Sequence, residues 1–367
     1  MIQVIKSKFE EEIVFVVSTL MAVITSFLVK PSIDAVDLKV IFSLFNLMLI
    51  SLAFEKYHLL DGIAVYILSM VRSEKSIGLV MIFTTAGLGM LMTNDVALLT
   101  VVPITMTIAR KAGFDPFKVV VLETAAANIG SSFTPFGNPQ NLYLYNYFQM
   151  DTKEFFLIIT PFVIAGMILL ILINMRNSDK LMDVKLNKVH LKQVRKIAYY
   201  AVLFILVILS VLRQLDYKIV TLVVMVSVII LDRKLVKKVD YFLLGTFVSF
   251  FIFIDNVTRL EMVNIFARNL LDSPLKVFSV SALLSQIISN VPSAILISGF
   301  TPFYRELFLG VSVGGLGTLV ASLANLISYK IYCKSFPRKQ YKIYFNKLNA
   351  ALLIILSAFV IIFRQIQ

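Results

Sequence analysis

Two motifs with the same spacing of polar residues interrupt an otherwise apolar chain. In each, a glycine, a threonine, an asparagine or serine, and a final asparagine follow at intervals of four, four and three residues: Gly130, Thr134, Asn138 and Asn141, then Gly314, Thr318, Ser322 and Asn325. Amides, hydroxyls and the free backbone groups of an interrupted helix can hold a small anion or a weakly bound cation. Matched interruptions in two apolar halves are typical of the substrate site of a secondary transporter.

A shorter polar element precedes each motif, midway along an apolar stretch. Thr93-Asn94 interrupts residues 77 to 110, and Ser289-Asn290 interrupts residues 277 to 300. We predict that each stretch is a re-entrant hairpin with the polar pair at its tip. Inverted repeats would bring both tips and both interruptions to one site near the membrane midplane. The predicted substrate-binding residues are Asn94, Ser131, Thr134, Asn138, Asn141, Ser289, Asn290, Thr318, Ser322 and Asn325.

A coupling ion needs oxygen ligands or a protonatable group. Asp95 follows the first tip, and a carboxylate inside a membrane is costly unless it is paired, solvated or protonated, so it could bind Na⁺ or take up a proton. Its alternative role is to cap the helical arm that begins at Val96. Glu123 is a second candidate, unless its side chain reaches back to the cytoplasmic surface. The predicted coupling-ion residues are Asp95, Asn128, Gly130, Gly137, Gly314 and Glu123; the alternative for the glycines is close helix packing.

The elements that must position these residues are membrane helices. The chain has 367 residues, of which 59% are hydrophobic and 16% charged, and its mean hydropathy is +0.87. Such a composition excludes an ordinary soluble domain and predicts an all-α polytopic membrane protein. About ten crossings are expected near residues 13 to 29, 38 to 54, 58 to 72, 117 to 149, 154 to 175, 197 to 213, 217 to 231, 241 to 256, 306 to 330 and 348 to 364.

Basic residues in the connections predict how these helices are oriented. The segments 176 to 196, 232 to 240 and 331 to 347 are rich in lysine and arginine, which is typical of cytoplasmic loops. The sparse connections near residues 55, 151 and 215 are then expected outside, together with both chain ends. The hairpin 77 to 110 opens inward and the hairpin 277 to 300 opens outward.

This layout divides the chain into two inverted repeats. The N-terminal repeat covers residues 1 to 175, and the C-terminal repeat covers residues 197 to 367; each contains five crossings and one hairpin. The cytoplasmic basic linker 176 to 196 joins them. An odd number of crossings in the first repeat inserts the second upside down.

Several function classes are excluded or disfavoured by the residues present. The formal charge of +13 comes from short loops, so nucleic acid is not an expected partner. Cys333 is the only cysteine, which excludes a disulfide within the chain and a thiolate metal cluster. His-Glu-x-x-His and Walker A sequences are absent, and the Gly-x-Ser-x-Gly match at 310 to 314 lies inside the crossing expected at 306 to 330, not at a strand-to-helix turn. We therefore predict no catalytic residues, no metal other than a possible Na⁺ and no cofactor besides the coupling ion.

These motifs resemble the ion transporter superfamily, which includes arsenite efflux pumps, NhaD-type Na⁺/H⁺ antiporters, citrate carriers and divalent anion/Na⁺ symporters. The likeness looks closest to the small YbiR-like anion permeases. It implies a homodimer with scaffold regions, and transport regions that move as an elevator. The dicarboxylate carriers have Ser-Asn-Thr at both tips, whereas this chain has Asp95 and Val291 at the third positions. The residues that carry the resemblance are Thr93 to Asp95 with Pro103, 128 to 141, 289 to 292 and 314 to 325.

We expect a carrier of a small anion or oxyanion in the cytoplasmic membrane, coupled to Na⁺ or H⁺. Efflux of arsenite or antimonite and Na⁺/H⁺ exchange centred on Asp95 are alternatives within transport. An ion channel is a more distant alternative, which the same topology also allows. The lipid bilayer is the expected partner, and a separate ATPase partner is left open.

Overall fold

The computed structural model describes residues 2–68, 73–177, 191 and 193–366. These residues form seventeen α-helices, and five of the helices are long and apolar enough to cross a membrane. The first half contains α1 (Ile2–Leu28), α2 (Leu38–Lys56), α3 (Leu59–Leu68), α4 (Glu74–Leu91), α5 (Asn94–Ala112), α6 (Phe117–Ser131), α7 (Pro139–Tyr147) and α8 (Thr152–Asn174). The all-helical prediction is confirmed.

The second half begins after the predicted basic linker, of which residues 178–190 and 192 lie outside the described part. It contains α9 (Val194–Val211), α10 (Tyr217–Asp232), α11 (Tyr241–Thr258), α12 (Glu261–Leu270), α13 (Pro274–Ile288), α14 (Asn290–Ser298), α15 (Tyr304–Gly314), α16 (Leu323–Tyr332) and α17 (Arg338–Ile366). Short 3₁₀ helices occur at Ile33–Ala35 and Val236–Lys238.

Aspartates fix the starts of four of these helices. The carboxylates of Asp37, Asp151, Asp216 and Asp240 each accept hydrogen bonds from backbone N–H groups in the first turn of α2, α8, α10 and α11. Capping satisfies donors that have no partner inside the helix. An aspartate followed by an apolar run is therefore the local signal that begins these four helices.

Two elements differ from the sequence prediction. Helix α3 has 10 residues, and at 1.5 Å per residue it is about 15 Å long, half of the hydrocarbon thickness. The remainder of the crossing predicted at 58 to 72 includes residues 69–72, outside the described part. Helix α12 was not predicted. Its apolar side chains are largely exposed, including Met262 at 86% and Phe266 at 69%.

The two halves make corresponding contacts around the predicted hairpins and interruptions. Helix α4 packs against α5 and α6, and in the same way α13 packs against α14 and α15. The second helix of each hairpin contacts the other half of the chain: α5 packs against α16, and α14 packs against α7. The interruptions lie between α6 and α7 and between α15 and α16, as the repeated motif predicts.

Helices α1 and α11 run side by side in the same direction. The Phe15 ring, midway along α1, lies 5.5 Å from the Phe242 ring at the start of α11, and the Thr19 and Ser249 hydroxyls are 3.0 Å apart further along both helices. The start of α1 therefore lies at the end of the molecule that holds the connection between α10 and α11. We call this the basic end, defined by Arg233, Lys234, Lys237 and Lys238.

The connection near residue 55 also lies at the basic end. Lys56 forms an ion pair with Asp232, and the other Asp232 oxygen accepts hydrogen bonds from Tyr57 at 2.5 Å and Tyr200 at 3.0 Å. The segment 232 to 240 was predicted to be cytoplasmic, and residue 55 and the start of α1 lie at the same end of the molecule as this segment. The predictions that residue 55 and the N-terminal chain end face outside are therefore wrong. The prediction counted outward from the basic segments and treated 58 to 72 as a crossing, whereas α3, the described helix there, is about half as long as the hydrocarbon is thick.

Candidate functional site

A cavity of about 420 Å³ lies where the two halves meet. The starts of four helices, two from each half, contribute to its wall: α5 and α7, then α14 and α16. Helices α1 and α11 and the connection before α11 complete it. The lining residues are Val14, Phe15, Asn94, Asp95, Pro139, Gln140, Lys238, Asp240, Phe242, Leu243, Thr246, Ser289, Asn290, Val291, Pro292, Ser322 and Leu323.

The convergence of helix starts determines the chemistry of this cavity. The first backbone N–H groups of a helix have no partner within it and carry partial positive charge, which favours a bound anion. Among the predicted substrate residues, Asn94, Ser289, Asn290 and Ser322 line the cavity, and so does the predicted coupling residue Asp95. Gln140 also lines it and was not predicted; its position in the first turn after the interruption is the signal that could have identified it.

The second hairpin tip has an unusual backbone. Ser289 has φ 79° and ψ 154°, a conformation that is strained for a residue with a Cβ atom. The tip is held against the second interruption because the backbone N–H of Asn290 donates to the carbonyl of Ala321 at 3.0 Å. The strain at Ser289 therefore occurs where hairpin and broken helix come into contact beside the cavity.

Buried amides connect the first tip to both interruptions. Asn94 Nδ2 donates to Asn128 Oδ1 at 3.0 Å, and Asn128 Nδ2 donates in turn to Asn325 Oδ1 at 2.7 Å. Asn94 Nδ2 also lies 3.4 Å from Ser322 Oγ. Because both ends of its side chain are engaged, Asn128 joins the halves behind the cavity and does not line it.

The last asparagine of each motif stabilises the unwound segment before it. Asn141 Nδ2 donates to backbone carbonyls of the first interruption, at Ser131, Ser132 and Thr134. Asn325 Nδ2 donates to the corresponding carbonyls of the second, at Gly315 and Thr318. These bonds replace partners that the break removes, which explains the repeated spacing. Neither Asn141 nor Asn325 lines the cavity, so the geometry gives both a supporting position.

The threonines of the two motifs attach each hairpin to its interruption. Thr134 Oγ1 donates to the carbonyl of Met90 at 2.7 Å, and Thr318 Oγ1 donates to that of Gln286 at 3.0 Å. Asn138 Nδ2 donates to Ser131 Oγ at 2.6 Å. The side chains of Thr134, Thr318, Asn138 and Ser131 are not among those that line the cavity. These predicted substrate residues instead form its supporting shell.

Two glycines of the motifs lie at close helix crossings, and a third, Gly137, lies in the turn between α6 and α7. A Cβ atom on Gly130 would lie 2.5 Å from Ala86 Cα, and one on Gly314 would lie 2.7 Å from Ser285 Oγ. A Cβ on Gly137 would lie 2.2 Å from the carbonyl oxygen of Ser131. Close helix packing, the alternative considered from the sequence, therefore accounts for Gly130 and Gly314, whereas Gly137 allows a tight turn inside the first interruption.

The two candidate carboxylates have different surroundings. Asp95 is partly exposed and lines the cavity. Glu123 is fully buried in α6, where Thr105 donates to one of its oxygens and the other has no hydrogen-bond partner in the described part of the chain. Because Glu123 is buried, the alternative that it reaches the cytoplasmic surface is wrong. Within the described residues, no group of three or more histidine, cysteine or acidic side chains could hold a metal ion.

Comparisons with known proteins agree with this architecture. The citrate transporter family model matches residues 2–303. An uncharacterized transporter of Methanocaldococcus jannaschii is 37% identical over 300 residues, covering 81% of each chain. The inner membrane protein YbiR of Escherichia coli is 30% identical over 300 residues, covering 81% of this chain and 80% of YbiR.

A solved structure shares the fold. The crystal structure of the YdaH transporter of Alcanivorax borkumensis, described as having an unusual topology, superposes with a TM-score of 0.55 at 15% identity, over 88% of this chain and 84% of that one. The predicted likeness to citrate carriers and YbiR-like permeases is confirmed. The chain is a multi-pass membrane protein and belongs to the citrate transporter (CitMHS) family.

Proposed function

We propose that this protein is a secondary active transporter that moves a small anion or oxyanion across the cytoplasmic membrane. The observation that carries the proposal is the convergence of four helix starts, two from each half, on one polar cavity. Helix starts and neutral amides stabilise an anion without permanent positive charge, so the bound ion can also leave. A carboxylate is the first substrate class to test, because the matching family is named for citrate transport.

Asp95 is the proposed site of coupling to Na⁺ or H⁺. It is a carboxylate that lines the cavity beside the first tip. An ionised Asp95 would repel an anionic substrate, and a bound Na⁺ or proton removes that repulsion. Cation binding and anion binding would then favour each other, which is the requirement for coupled transport.

Alternating access is supported by an asymmetry in how the cavity is closed. The cavity wall includes residues of the basic end, which the positive-inside rule assigns to the cytoplasm. Toward the opposite end, the Tyr143 hydroxyl lies 2.6 Å from Ser298 Oγ, and its ring lies 5.6 Å from the Phe251 ring. We propose that the hairpins and broken helices move together, in an elevator within a homodimer, to open the other side.

The test is uptake into proteoliposomes containing the purified protein. Radiolabelled citrate and a panel of small carboxylates and oxyanions are offered with an imposed Na⁺ gradient, an imposed pH gradient or neither. We expect gradient-dependent accumulation that Asn290→Ala abolishes. Asn349→Ala is the matched control, since Asn349 is a buried asparagine in α17 that does not line the cavity. Equal accumulation by the two variants, or flux far above carrier rates without a gradient, would contradict the proposal.

A further inference from the structure

The cavity contains one cationic side chain among its described lining residues, and this residue lies outside the repeated motifs. Three charged residues line the wall, namely Asp95, Lys238 and Asp240. Lys238 ends the 3₁₀ helix Val236–Lys238 between α10 and α11. The sequence pattern places it in a basic loop, where it would ordinarily be interpreted only as an orientation signal.

Lys238 is available to act on an incoming ion. Its side chain is exposed, and within the described part of the chain it forms no ion pair. The Asp240 carboxylate beside it accepts from the backbone N–H of Leu243 at 2.9 Å, as the cap of α11. A neighbouring cavity of about 330 Å³ shares Lys238 and includes Glu55 and Asp61, and Asp61 lies 2.8 Å from His58 Nδ1.

The position of Lys238 at the basic end makes its charge directional. The helix starts act at short range within the cavity, because a helix dipole weakens within about one turn. An ammonium group exposed at the wall facing the basic end acts earlier, on ions that approach from that side. A positive charge at a narrow polar entrance raises the local concentration of anions and lowers that of cations.

We propose that Lys238 selects for anions at the basic-end entrance of the cavity and thereby contributes to substrate specificity. The inference rests on the proposed anion site and extends it to a residue outside both repeated motifs. Lys237 provides a matched control. It precedes Lys238 in the same 3₁₀ helix, carries the same charge and is also exposed, but it does not line the cavity.

The primary experiment measures the potential in the cavity without requiring a known substrate. In a Cys333→Ser background, Val291→Cys places one thiol in the cavity wall. Its reaction rates with a sulfonate-bearing and a trimethylammonium-bearing methanethiosulfonate are compared at low ionic strength. A unit charge roughly 10 Å away changes the local concentration of a monovalent ion about twofold in water. Lys238→Gln should therefore lower the anionic-to-cationic rate ratio about fourfold, and the change should shrink at high salt.

The controls separate local charge from structure and from the proposed function. Lys237→Gln should leave the ratio near the wild-type value, and Lys238→Arg should restore it. In uptake assays, Lys238→Gln should raise KM about twofold for each negative charge on the substrate, with Vmax unchanged. An equal effect of Lys237→Gln and Lys238→Gln on the rate ratio would overturn the inference. Absence of anion transport by the wild-type protein, with the predicted rate ratios intact, would contradict only the proposed function.

Discussion

Gly130 lies where α6 crosses α4, and its replacement by alanine should destabilise the protein. The added Cβ would lie 2.5 Å from Ala86 Cα and 2.7 Å from the Ala86 carbonyl oxygen. Both atoms belong to backbone, so relief requires one helix to move. Overpacking of this kind costs about 1–3 kcal/mol, and the helix propensity of alanine offsets about 0.8–1 kcal/mol. These two contributions leave a net loss of about 0–2 kcal/mol, and we expect the upper part of that range because the closest contacts are to backbone.

Gly87→Ala is the matched control for this substitution. Gly87 lies in α4 next to Ala86, and a Cβ atom there would meet nothing within 4 Å. Gly87→Ala therefore gains the same helix propensity as Gly130→Ala without a steric clash. Gly314→Ala should fall between the two, because its added Cβ would lie 2.7 Å from Ser285 Oγ, 2.8 Å from Ser285 Cβ and 3.1 Å from Ala282 Cα, so its contacts are longer than those at Gly130.

The assay measures thermal unfolding of each variant in detergent. The quantity recorded at each temperature is the fraction of protein that remains monodisperse after heating. We expect melting temperatures in the order Gly130→Ala, Gly314→Ala and Gly87→Ala, with the lowest first. A Gly130→Ala protein as stable as Gly87→Ala would refute the close contact between α4 and α6, and with it the packing explanation for the motif glycines.

Two further predictions concern coupling and the unwound segments. Asp95→Asn should flatten the dependence of uptake on Na⁺ and pH, because the amide cannot bind Na⁺ as a carboxylate does or exchange a proton. Helix α5 begins at Asn94 with Thr93 at its N-cap, so the alternative that Asp95 caps an arm beginning at Val96 is wrong. An unchanged profile would leave Asp95 as an acidic residue in the first turn of α5 with no role in coupling. Asn325→Ala should lower the melting temperature in the detergent assay, because it removes two bonds to the second interruption and the partner of Asn128, each worth about 0.6 kcal/mol in a membrane. A melting temperature equal to that of Asn349→Ala would contradict the supporting role of Asn325.

The repeated spacing predicted the two interruptions and tips because broken membrane helices require glycines and polar residues at fixed intervals. It could not assign individual asparagines to substrate or support. Asn290 and Asn325 have the same chemistry, and only the packed structure directs the Asn325 amide to carbonyls of the second interruption. The sequence did not predict Lys238 as a site residue for a related reason, since its position in the cavity wall depends on how α10 and α11 pack.

The number of basic residues in a connection is likewise not enough to predict which side of the membrane that connection faces. Lys56 lies in a short connection with few basic residues, and its ion pair with Asp232 exists only once α2 and α10 are packed. Helix α12 could have been predicted, because its apolar residues recur at helical spacing between the end of α11 and the second hairpin.

The central claim is that one site is built where the tip of one half meets the interruption of the other. Asn94 Nδ2 and Ser322 Oγ, 3.4 Å apart, are the atoms to test. In a Cys333→Ser background with a protease site in the 176 to 196 linker, Asn94→Cys and Ser322→Cys are treated with a short thiol cross-linker. The account predicts that the cleaved halves stay joined, whereas Asn174→Cys with Ser322→Cys lets them separate, because Asn174 contacts Lys75 at the end of α4 far from Asn94. Separation of the Asn94 and Ser322 pair would contradict it.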